Sequence, residues 1–233
     1  MQLLPSERKQ TKIKMALQGI SGSGKTMSAI LLAKGLTNDN LSKVGIIDTE
    51  RGSSHLYAHL GSYNVLKLEQ PCLPEKYIEA IDICLTAGME VIVIDGISQC
   101  WNYLLGLHAS LTGNSFTNWK KVTAKQDVFI NKILHAPVHI IVTMRSKQAY
   151  VLNLKNGKYI PEKVGLKAVQ RNDVDYEFDL VFDIDIKHFA VSNKDRTNLF
   201  TDKQAFVINS LTGMKIRNWA LSNENLKQIK QEI

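Results

Sequence analysis

A glycine-rich stretch, GISGSGKT at residues 19–26, constrains the fold of this 233-residue chain more than any other feature. Its first glycine ends the short apolar run IKMALQG. Its last two residues begin KTMSAILLAKGL, whose apolar spacing is typical of a helix. The pattern G-x-x-x-x-G-K-[ST] lets backbone N–H groups turn inward around phosphate oxygens, where a Cβ would obstruct. The dipole of the following helix points at the same anion. The stretch therefore predicts a phosphate-binding loop between a strand and a helix.

The loop and an acidic residue further along the chain predict a site for ATP and Mg²⁺. Lys25 is expected to reach the β- and γ-phosphates, and the Thr26 hydroxyl is expected to ligate Mg²⁺. Asp95 closes the apolar strand VIVID and is the second predicted magnesium ligand, usually acting through water. The predicted loop contacts to the nucleotide are Gly19, Ser21, Gly22, Ser23, Gly24, Lys25, Thr26 and Met27.

Alternating apolar strands and helices predict an α/β fold with a mostly parallel central sheet flanked by helices. The runs VGIIDTE, EVIVIDG and VHIIVTM are expected to be buried strands. Later, YEFDLVFDIDIK alternates strictly and predicts a half-exposed antiparallel strand, with AFVINS and KIRNWAL as candidates for further short strands. Residues 1–221 are expected to form one domain, and residues 222–233 a C-terminal helical tail.

Composition indicates a globular protein, with 44% hydrophobic and 22% charged residues. The three cysteines, Cys72, Cys84 and Cys100, are odd in number and have no C-x-x-C spacing. A disulfide framework or a zinc site is therefore not expected. The start of the chain has no apolar secretory segment, and no apolar run approaches the ~20 residues of a membrane span. These features predict a cytoplasmic protein.

The acid that would activate water is not in its usual place. Many ATPases have Glu directly after the magnesium Asp, but Gly96 occupies that position here. The second strand, VGIIDTE, ends in Asp48 and Glu50, at the sheet edge where ligands of parallel sheets bind. Glu50 is thus a candidate, and a merely solvated strand-end acid is the alternative.

The segments IIDTERGSSHLYAHLG and EKYIEAIDICLTAGMEVIVIDGIS resemble the core of the RecA-type recombinase ATPases. The resemblance spans about residues 14–144. It implies that Glu50 activates water and that Tyr57 stacks on or near the adenine. Compact members without flanking domains are similar to proteins of bacteriophages and mobile elements that assist single-strand annealing or recombination. A phage origin would place the protein in the cytoplasm of a bacterial host cell.

The same resemblance implies two further sets of catalytic residues. Thr143 lies where the family has its γ-phosphate sensor, although an amide side chain is more usual there. Lys194 and Arg196, within SNKDRTNLF, correspond to basic residues that complete the ATP site of a neighbouring subunit. This implies a homo-oligomer with ATP at subunit interfaces. A solvated turn is the alternative for these two residues.

Positive charge is concentrated between residues 145 and 171, where seven basic residues face one acidic residue in a chain of net charge +7. In the RecA-type arrangement, single-stranded DNA runs there, and spaced cations suit sequence-tolerant phosphate binding. NLKNGKYI within this region predicts a hairpin, and a basic surface hairpin without any ligand is the alternative to a DNA-binding one. Trp101, Phe116 and Trp119 lie at the family's other DNA-facing loop, with core packing as the alternative for the tryptophans. The predicted nucleic-acid residues are Arg145, Lys147, Lys155, Lys158, Lys163 and Lys167.

Together these features predict a Mg²⁺-dependent ATPase that binds single-stranded DNA. Two alternatives stay open. A small-molecule or nucleotide kinase uses the same phosphate loop, but commonly carries its second acid on the strand adjacent to the loop. A non-catalytic, ATP-gated switch or helicase-loader-like protein usually keeps an acid next to the magnesium Asp, where this chain has Gly96.

Overall fold

The structure is a computed structural model that describes residues 10–155 and 158–221, with the side chains of residues 148–166 outside the description. The described residues form nine strands and five α-helices. In chain order these are β1 (Lys14–Gly19), α1 (Lys25–Leu36), β2 (Val44–Asp48), β3 (Asn64–Lys67), α2 (Pro74–Thr86), β4 (Val91–Asp95), α3 (Ser98–Ser110), α4 (Ser115–His135), β5 (His139–Lys155), β6 (Lys158–Ala168), β7 (Leu180–Ile184), β8 (Phe189–Asp195), β9 (Phe206–Val207) and α5 (Ser210–Leu221).

One sheet organises the domain, with strand order β3-β2-β4-β5-β1-β7-β8-β9 and with β6 paired to β5 outside this path. In this order the first six strands, from β3 at one edge to β7, run parallel to one another. Strands β8 and β9 continue the sheet in antiparallel pairs. The predicted α/β fold with a mostly parallel sheet and an antiparallel extension is confirmed. Because the strands are parallel, the loops after β1, β2, β4 and β5 all leave from one edge of the sheet.

The two faces of the sheet carry separate hydrophobic cores. Every residue of β1, β2 and β4 is buried, as expected for strands that are covered on both faces. On one face α2, α3 and α4 cover Ile92 and Ile94, and the Tyr77 and Phe129 rings lie 4.8 Å apart. On the other face α1 and α5 cover Val93.

Helices α1 and α5 approach each other through two glycines. A Cβ built on Gly35 would lie 2.0 Å from the Ser210 carbonyl oxygen, and one built on Gly213 would lie 2.2 Å from that of Leu32. Backbone atoms cannot yield to such contacts as a flexible side chain can. The two helices therefore pack at a distance that only glycine permits at these positions.

One prediction about the C-terminal part was right only in part, and another was wrong. Within YEFDLVFDIDIK only Leu180–Ile184 forms a strand, β7, which pairs antiparallel with β8 as predicted but also pairs parallel with β1 and is buried at every position except Asp183, while Ile186 lies beyond the strand and is 56% exposed. KIRNWAL belongs to helix α5, because Ile216 and Ala220 have helical spacing and pack against the α1 face. A seven-residue window is too short for its apolar period to distinguish strand from helix. The predicted tail, residues 222–233, lies outside the described residues.

Among the described residues, none of the helices is both long enough and apolar enough to span a membrane.

Candidate active site

The phosphate loop connects β1 to α1 at the edge of the sheet where the parallel strands end. Gly22 and Gly24 have φ values of 80° and 87°, in the left-handed region that glycine adopts without strain. The first helical hydrogen bond runs from the Ser28 N–H to the Gly24 carbonyl, at 2.9 Å. The motif therefore forms the strand–loop–helix unit that its sequence predicted.

Lys25 lies at the start of α1, with its ammonium folded onto the loop. Its Nζ donates a hydrogen bond to the Ile20 carbonyl at 2.8 Å. Burial lowers the pKa of Lys25, while the nearby carboxylates of Asp95 and Glu50 raise it. A desolvated ammonium whose bond is to a loop carbonyl can exchange that bond for a phosphate oxygen at little cost. This environment fits a nucleotide phosphate.

Asp95 is a buried acid, at 2% exposure, and two hydroxyl groups donate to it. Thr26 Oγ1 donates to Oδ2 at 2.8 Å, and Thr143 Oγ1 donates to Oδ1 at 2.5 Å. Burial raises the pKa of Asp95, and the two hydroxyl hydrogen bonds oppose this shift. Thr26 and Asp95 thus present hard oxygen ligands side by side, which suits Mg²⁺.

The chain alone supplies few metal ligands here. The described residues contain no cluster of three or more His, Cys, Asp or Glu that could hold a metal. Mg²⁺ commonly takes one or two protein ligands and completes its shell with water and substrate phosphates. The residues present therefore fit Mg²⁺ that arrives with a nucleotide.

Glu50 lies just after β2 and its carboxylate has three hydrogen-bond donors. Gln99 Nε2 donates to Oε1 at 2.7 Å, and Arg145 donates to the same oxygen from Nε at 3.0 Å and from Nη2 at 2.8 Å. The other polar atom of the same amide, Gln99 Oε1, is buried and has no hydrogen-bond partner among the described residues. The hydrogen bond from Nε2 to Glu50 therefore determines how the amide is oriented. This carboxylate is held in place by α3 and β5 together.

Asp48 fixes the loop that carries Glu50. Its carboxylate accepts backbone N–H groups from Glu50, Gly52 and Ser54 at 2.8, 3.2 and 2.9 Å, and also the Ser54 hydroxyl at 2.5 Å. Burial raises the pKa of Asp48, but these hydrogen bonds outweigh it and leave the pKa below its ordinary value. Of the two acids at the end of β2, Asp48 is therefore structural and Glu50 is available for chemistry.

These groups share one cavity of about 780 Å³, which we call the nucleotide cavity. Lys25, Glu50, Tyr57, Asp95 and Arg145 line it. The buried Ser53 hydroxyl also lines it and has no hydrogen-bond partner among the described residues, as expected for a polar group that meets a ligand. Further predicted loop residues in the wall are Ser21, Gly22, Gly24, Thr26 and Met27.

The opposite wall of the nucleotide cavity was not predicted. His188, Val207 and Ile208 line it from the antiparallel end of the sheet. The His188 ring nitrogen Nδ1 lies 3.1 Å from the Ser23 carbonyl oxygen, and a Cβ on Gly24 would lie 3.1 Å from that nitrogen. No local motif marks these residues, because they reach the loop only through the pairing of β7 with β1 and of β8 with β7.

Thr143, the predicted γ-phosphate sensor, lies behind Asp95. It is buried, donates its hydroxyl proton to Asp95, and does not line the nucleotide cavity. Its short side chain reaches the neighbouring strand end and orients the Asp95 carboxylate. A sensor role for Thr143 stays a prediction.

Lys194 and Arg196 lie far from the phosphate loop of their own chain. Lys194 pairs with Val181 near the start of β7, at the opposite edge of the sheet from Gly19. The Lys194 ammonium donates to the Tyr176 carbonyl, and Arg196 Nη1 lies 3.2 Å from Asp179 Oδ1. Within one chain they do not join the site, and a contact with a neighbouring subunit stays a prediction.

The predicted nucleic-acid residues divide into three groups. Arg145 contacts Glu50 instead of standing free on the surface, because it lies where β5 passes the edge of the sheet at which β1, β2 and β4 end. Lys147 and Lys167 line a groove of about 740 Å³. Lys155, Lys158 and Lys163 lie outside the residues whose side chains are described, although the backbone of β5 and β6 pairs as the predicted hairpin.

The aromatic residues near this groove lie on helices and not on a loop as predicted. Trp101 of α3 and Trp119 of α4 line the groove, and their rings stack with centroids 6.1 Å apart. The His108 ring stacks on Trp119 at 3.9 Å. Phe116, at the start of α4, is 84% exposed. The groove therefore combines stacked aromatic rings with lysines from the base of the hairpin.

The fold and the site define a P-loop ATPase domain: a parallel sheet, a glycine-rich phosphate loop, a strand-end Asp beside the loop threonine, and a second acid in the same cavity. A family model described as an AAA domain matches residues 11–209, and the chain belongs to this family. The search of curated proteins found no match to the chain. The family match shows the AAA-type ATPase class, and it does not extend to a recombinase or phage subfamily.

Proposed function

We propose that this protein is a Mg²⁺-dependent ATPase that binds single-stranded DNA and assists recombination or strand annealing of the kind found in bacteriophages and mobile elements. One observation carries the ATPase part. Lys25, Asp95 and Glu50 come from three different elements and line a single cavity beside the phosphate loop. A cation, a magnesium ligand and a second acid in one cavity are the groups that hydrolysis of a terminal phosphate needs.

The residues of the chain divide the work of hydrolysis among them. The loop amides hold the phosphates of ATP, and Lys25 leaves the Ile20 carbonyl to contact the β- and γ-phosphates. Mg²⁺ on Thr26 and Asp95 would neutralise charge on the same phosphates. Glu50 orients the attacking water and accepts its proton, which requires that its carboxylate be released at least in part from Arg145.

The strand order favours hydrolysis over phosphoryl transfer to a small molecule. Strand β5 lies between β1, which carries the phosphate loop, and β4, which carries Asp95. A kinase of this class commonly has its second acid on the strand adjacent to the loop strand. The inserted strand also carries Arg145 to Glu50, so it contributes to the site as well as to the sheet.

An ATP-gated switch is the second candidate, and the pairing of Glu50 with Arg145 favours it. The Arg145 guanidinium neutralises the carboxylate that would activate water. A protein with that pairing hydrolyses slowly until another event separates the two groups. The switch and the motor differ in whether turnover follows DNA binding.

The groove beside the hairpin supports the DNA part of the proposal. Stacked rings accept bases without regard to sequence, and lysines neutralise the backbone phosphates. Trp101, Trp119, Lys147 and Lys167 supply both kinds of group in one groove. Arg171 at its wall is paired with Asp127, so it contributes less free charge than the sequence suggested.

Assembly and location complete the proposal. A homo-oligomer with ATP at its interfaces would give Lys194 and Arg196 a neighbouring phosphate to contact, which their own chain does not offer. The protein would work in the cytoplasm of a bacterial host.

The test is an ATPase assay with and without single-stranded DNA, on the full chain, with Mg²⁺ present. We expect hydrolysis that rises severalfold with DNA and disappears when Mg²⁺ is chelated. Hydrolysis without any response to DNA would support the ATPase part of the proposal and contradict the part that makes DNA its partner. Transfer of the phosphoryl group to a small molecule instead of water would establish the kinase alternative.

A further inference from the structure

A second polar cavity, of about 630 Å³, adjoins the nucleotide cavity, and Glu50 and Arg145 line both. We call it the polar pocket. None of the described loop residues 19–26 lines it, so it is separate from the phosphate loop. The remaining side chains that matter for its chemistry are Arg51, Gln70, Gln99, Asn102 and Tyr103.

The polar pocket is rich in hydrogen-bond donors and poor in free acid. Two guanidinium groups, three amides and a phenol line it, and its one carboxylate, Glu50, is already paired with Arg145. Planar guanidinium forks and amide N–H groups match the oxygens of a phosphate. The chemistry of the lining therefore favours an oxyanion over a cation or an apolar ligand.

Arg51 is the free cation of this pocket. Its side chain forms no hydrogen bond or ion pair within the described part of the chain. Its backbone has a φ of 60°, which is uncommon for a residue with a Cβ and is found preferentially at functional sites. Arg145, by contrast, must divide its donors between the Glu50 carboxylate and any ligand in the pocket.

We propose that the polar pocket binds a phosphate group that is not part of ATP, and that this phosphate competes with Glu50 for Arg145. The phosphate can come from the backbone of a DNA strand or can be free inorganic phosphate. Asn102 lines both the polar pocket and the groove of Trp101 and Trp119, so a strand in that groove passes the pocket. The competition between this phosphate and Glu50 for Arg145 rests on the proposed function, because the release of Glu50 has a consequence only if Glu50 activates water for ATP hydrolysis.

Binding is tested by calorimetric titration of inorganic phosphate into the full chain saturated with Mg²⁺ and a non-hydrolysable ATP analogue that fills the phosphate loop. We expect phosphate still to bind, and Arg51→Gln to weaken this binding by about tenfold, as for a lost charge-assisted hydrogen bond. Asn102→Leu should also weaken it. Lys203→Gln removes a positive charge outside both cavities and should leave the affinity unchanged.

Two results would overturn the phosphate site: no binding once the analogue is present, or equal affinity for Arg51→Gln and the parent. The titration is repeated on Lys25→Ala without nucleotide, which removes the phosphate loop as a competing site. Neither titration needs hydrolysis or DNA, so failure of the proposed function and failure of the pocket are separate results.

The source of the phosphate is tested by competition. A single-stranded oligonucleotide that displaces inorganic phosphate, while its neutral methylphosphonate counterpart does not, identifies the strand backbone as the ligand. If neither displaces phosphate, the site takes the free ion. Both outcomes keep the phosphate site, and the first also predicts that Arg51→Gln loses most of its stimulation by DNA.

Discussion

The Arg145 guanidinium donates two hydrogen bonds to a single oxygen of Glu50, from Nε at 3.0 Å and from Nη2 at 2.8 Å. The two residues are 95 positions apart in the chain and meet because β5 passes, at Arg145, the edge of the sheet where β2 and β4 end. This contact ties the acid that would activate water to the strand that continues into the basic hairpin. If the proposed function holds, a ligand at the hairpin would act on the ATP site through this contact.

The first prediction concerns that contact. Arg145→Ala removes two of the three hydrogen bonds to the Glu50 carboxylate and its ion pair, leaving the one from Gln99, so we expect basal hydrolysis without DNA to rise roughly threefold or more. Stimulation by single-stranded DNA should shrink correspondingly. Steady-state hydrolysis with and without an oligonucleotide measures both effects. A fall in basal turnover with stimulation intact would mean that Arg145 serves the phosphates and does not restrain Glu50.

The second prediction concerns the phosphate loop. Lys25→Ala should abolish detectable hydrolysis and weaken ATP binding, because the ammonium that contacts the β- and γ-phosphates is lost. Lys34→Ala, in the same helix, removes a hydrogen bond to the Leu60 carbonyl and should leave turnover near the parental rate. Nucleotide titration and turnover are measured on both variants. Parental turnover in Lys25→Ala would remove the phosphate-loop assignment.

The third prediction concerns the contact of α1 with α5. Gly35→Ala should destabilise the domain by about 1–3 kcal/mol, because its Cβ would collide with the Ser210 carbonyl and force the helices apart. Gly106→Ala, in α3, meets nothing within 4 Å and should stabilise by about 0.5–1 kcal/mol through helix propensity. Denaturant unfolding of both variants measures the difference. Equal stability of the two would show that the helices do not pack this closely.

The fourth prediction concerns a buried histidine at the start of β5. His139 Nδ1 accepts the Ile13 N–H at 3.1 Å, and burial lowers the pKa of His139 to about 3, with Lys12, Lys14 and Arg217 adding to the shift. In the unfolded chain His139 has its ordinary pKa of 6.5. Between about pH 6.5 and pH 3 the unfolded chain therefore binds a proton that the folded chain does not bind. Stability from this group is therefore complete above pH 6.5 and is lost as the pH falls toward 3, by about 1.4 kcal/mol per pH unit at most.

Unfolding free energies measured from pH 8 to pH 4 test this effect. His139→Gln keeps an acceptor for Ile13 but cannot titrate, so its stability should fall less steeply with acid than that of the parent. His59→Gln, at an exposed position, should follow the parental curve. Parallel curves for His139→Gln and the parent would show that folding does not lower the pKa of His139.

The parts of the site that were predictable depend on local sequence. The phosphate loop needs consecutive glycines and the Lys25–Thr26 pair, and Asp95 needs an apolar strand before it, so both can be read from short windows. Glu50 required the resemblance to RecA-type ATPases, because a strand-end acid has no chemistry of its own to mark it. The sequence does not distinguish the role of Glu50 from that of Asp48, two residues earlier. The structure distinguishes them, because Asp48 accepts four hydrogen bonds from the loop that follows it.

The unpredicted parts depend on pairing between distant segments. His188 and Ile208 reach the nucleotide cavity because β7 joins β1 in parallel, and the alternation of YEFDLVFDIDIK gives no sign of its partner. Arg145 was grouped with the basic hairpin by charge, but the order of strands places it at Glu50. The helix α3 was not predicted, because the family resemblance placed Trp101 at a DNA-facing loop, although its buried residues Cys100 and Leu104 have the i, i+4 spacing of a helix.

Glu50→Gln is the most direct test of the ATPase proposal, since the amide keeps the shape of the side chain and loses the ability to accept a proton. Glu90→Gln, at an exposed position outside both cavities, serves as the control for a Glu-to-Gln exchange and should keep the parental rate. We expect Glu50→Gln to bind ATP with an affinity near that of the parent and to lose hydrolysis by about a hundredfold or more. Hydrolysis at the parental rate in this variant would contradict the assignment of Glu50 as the acid that activates water.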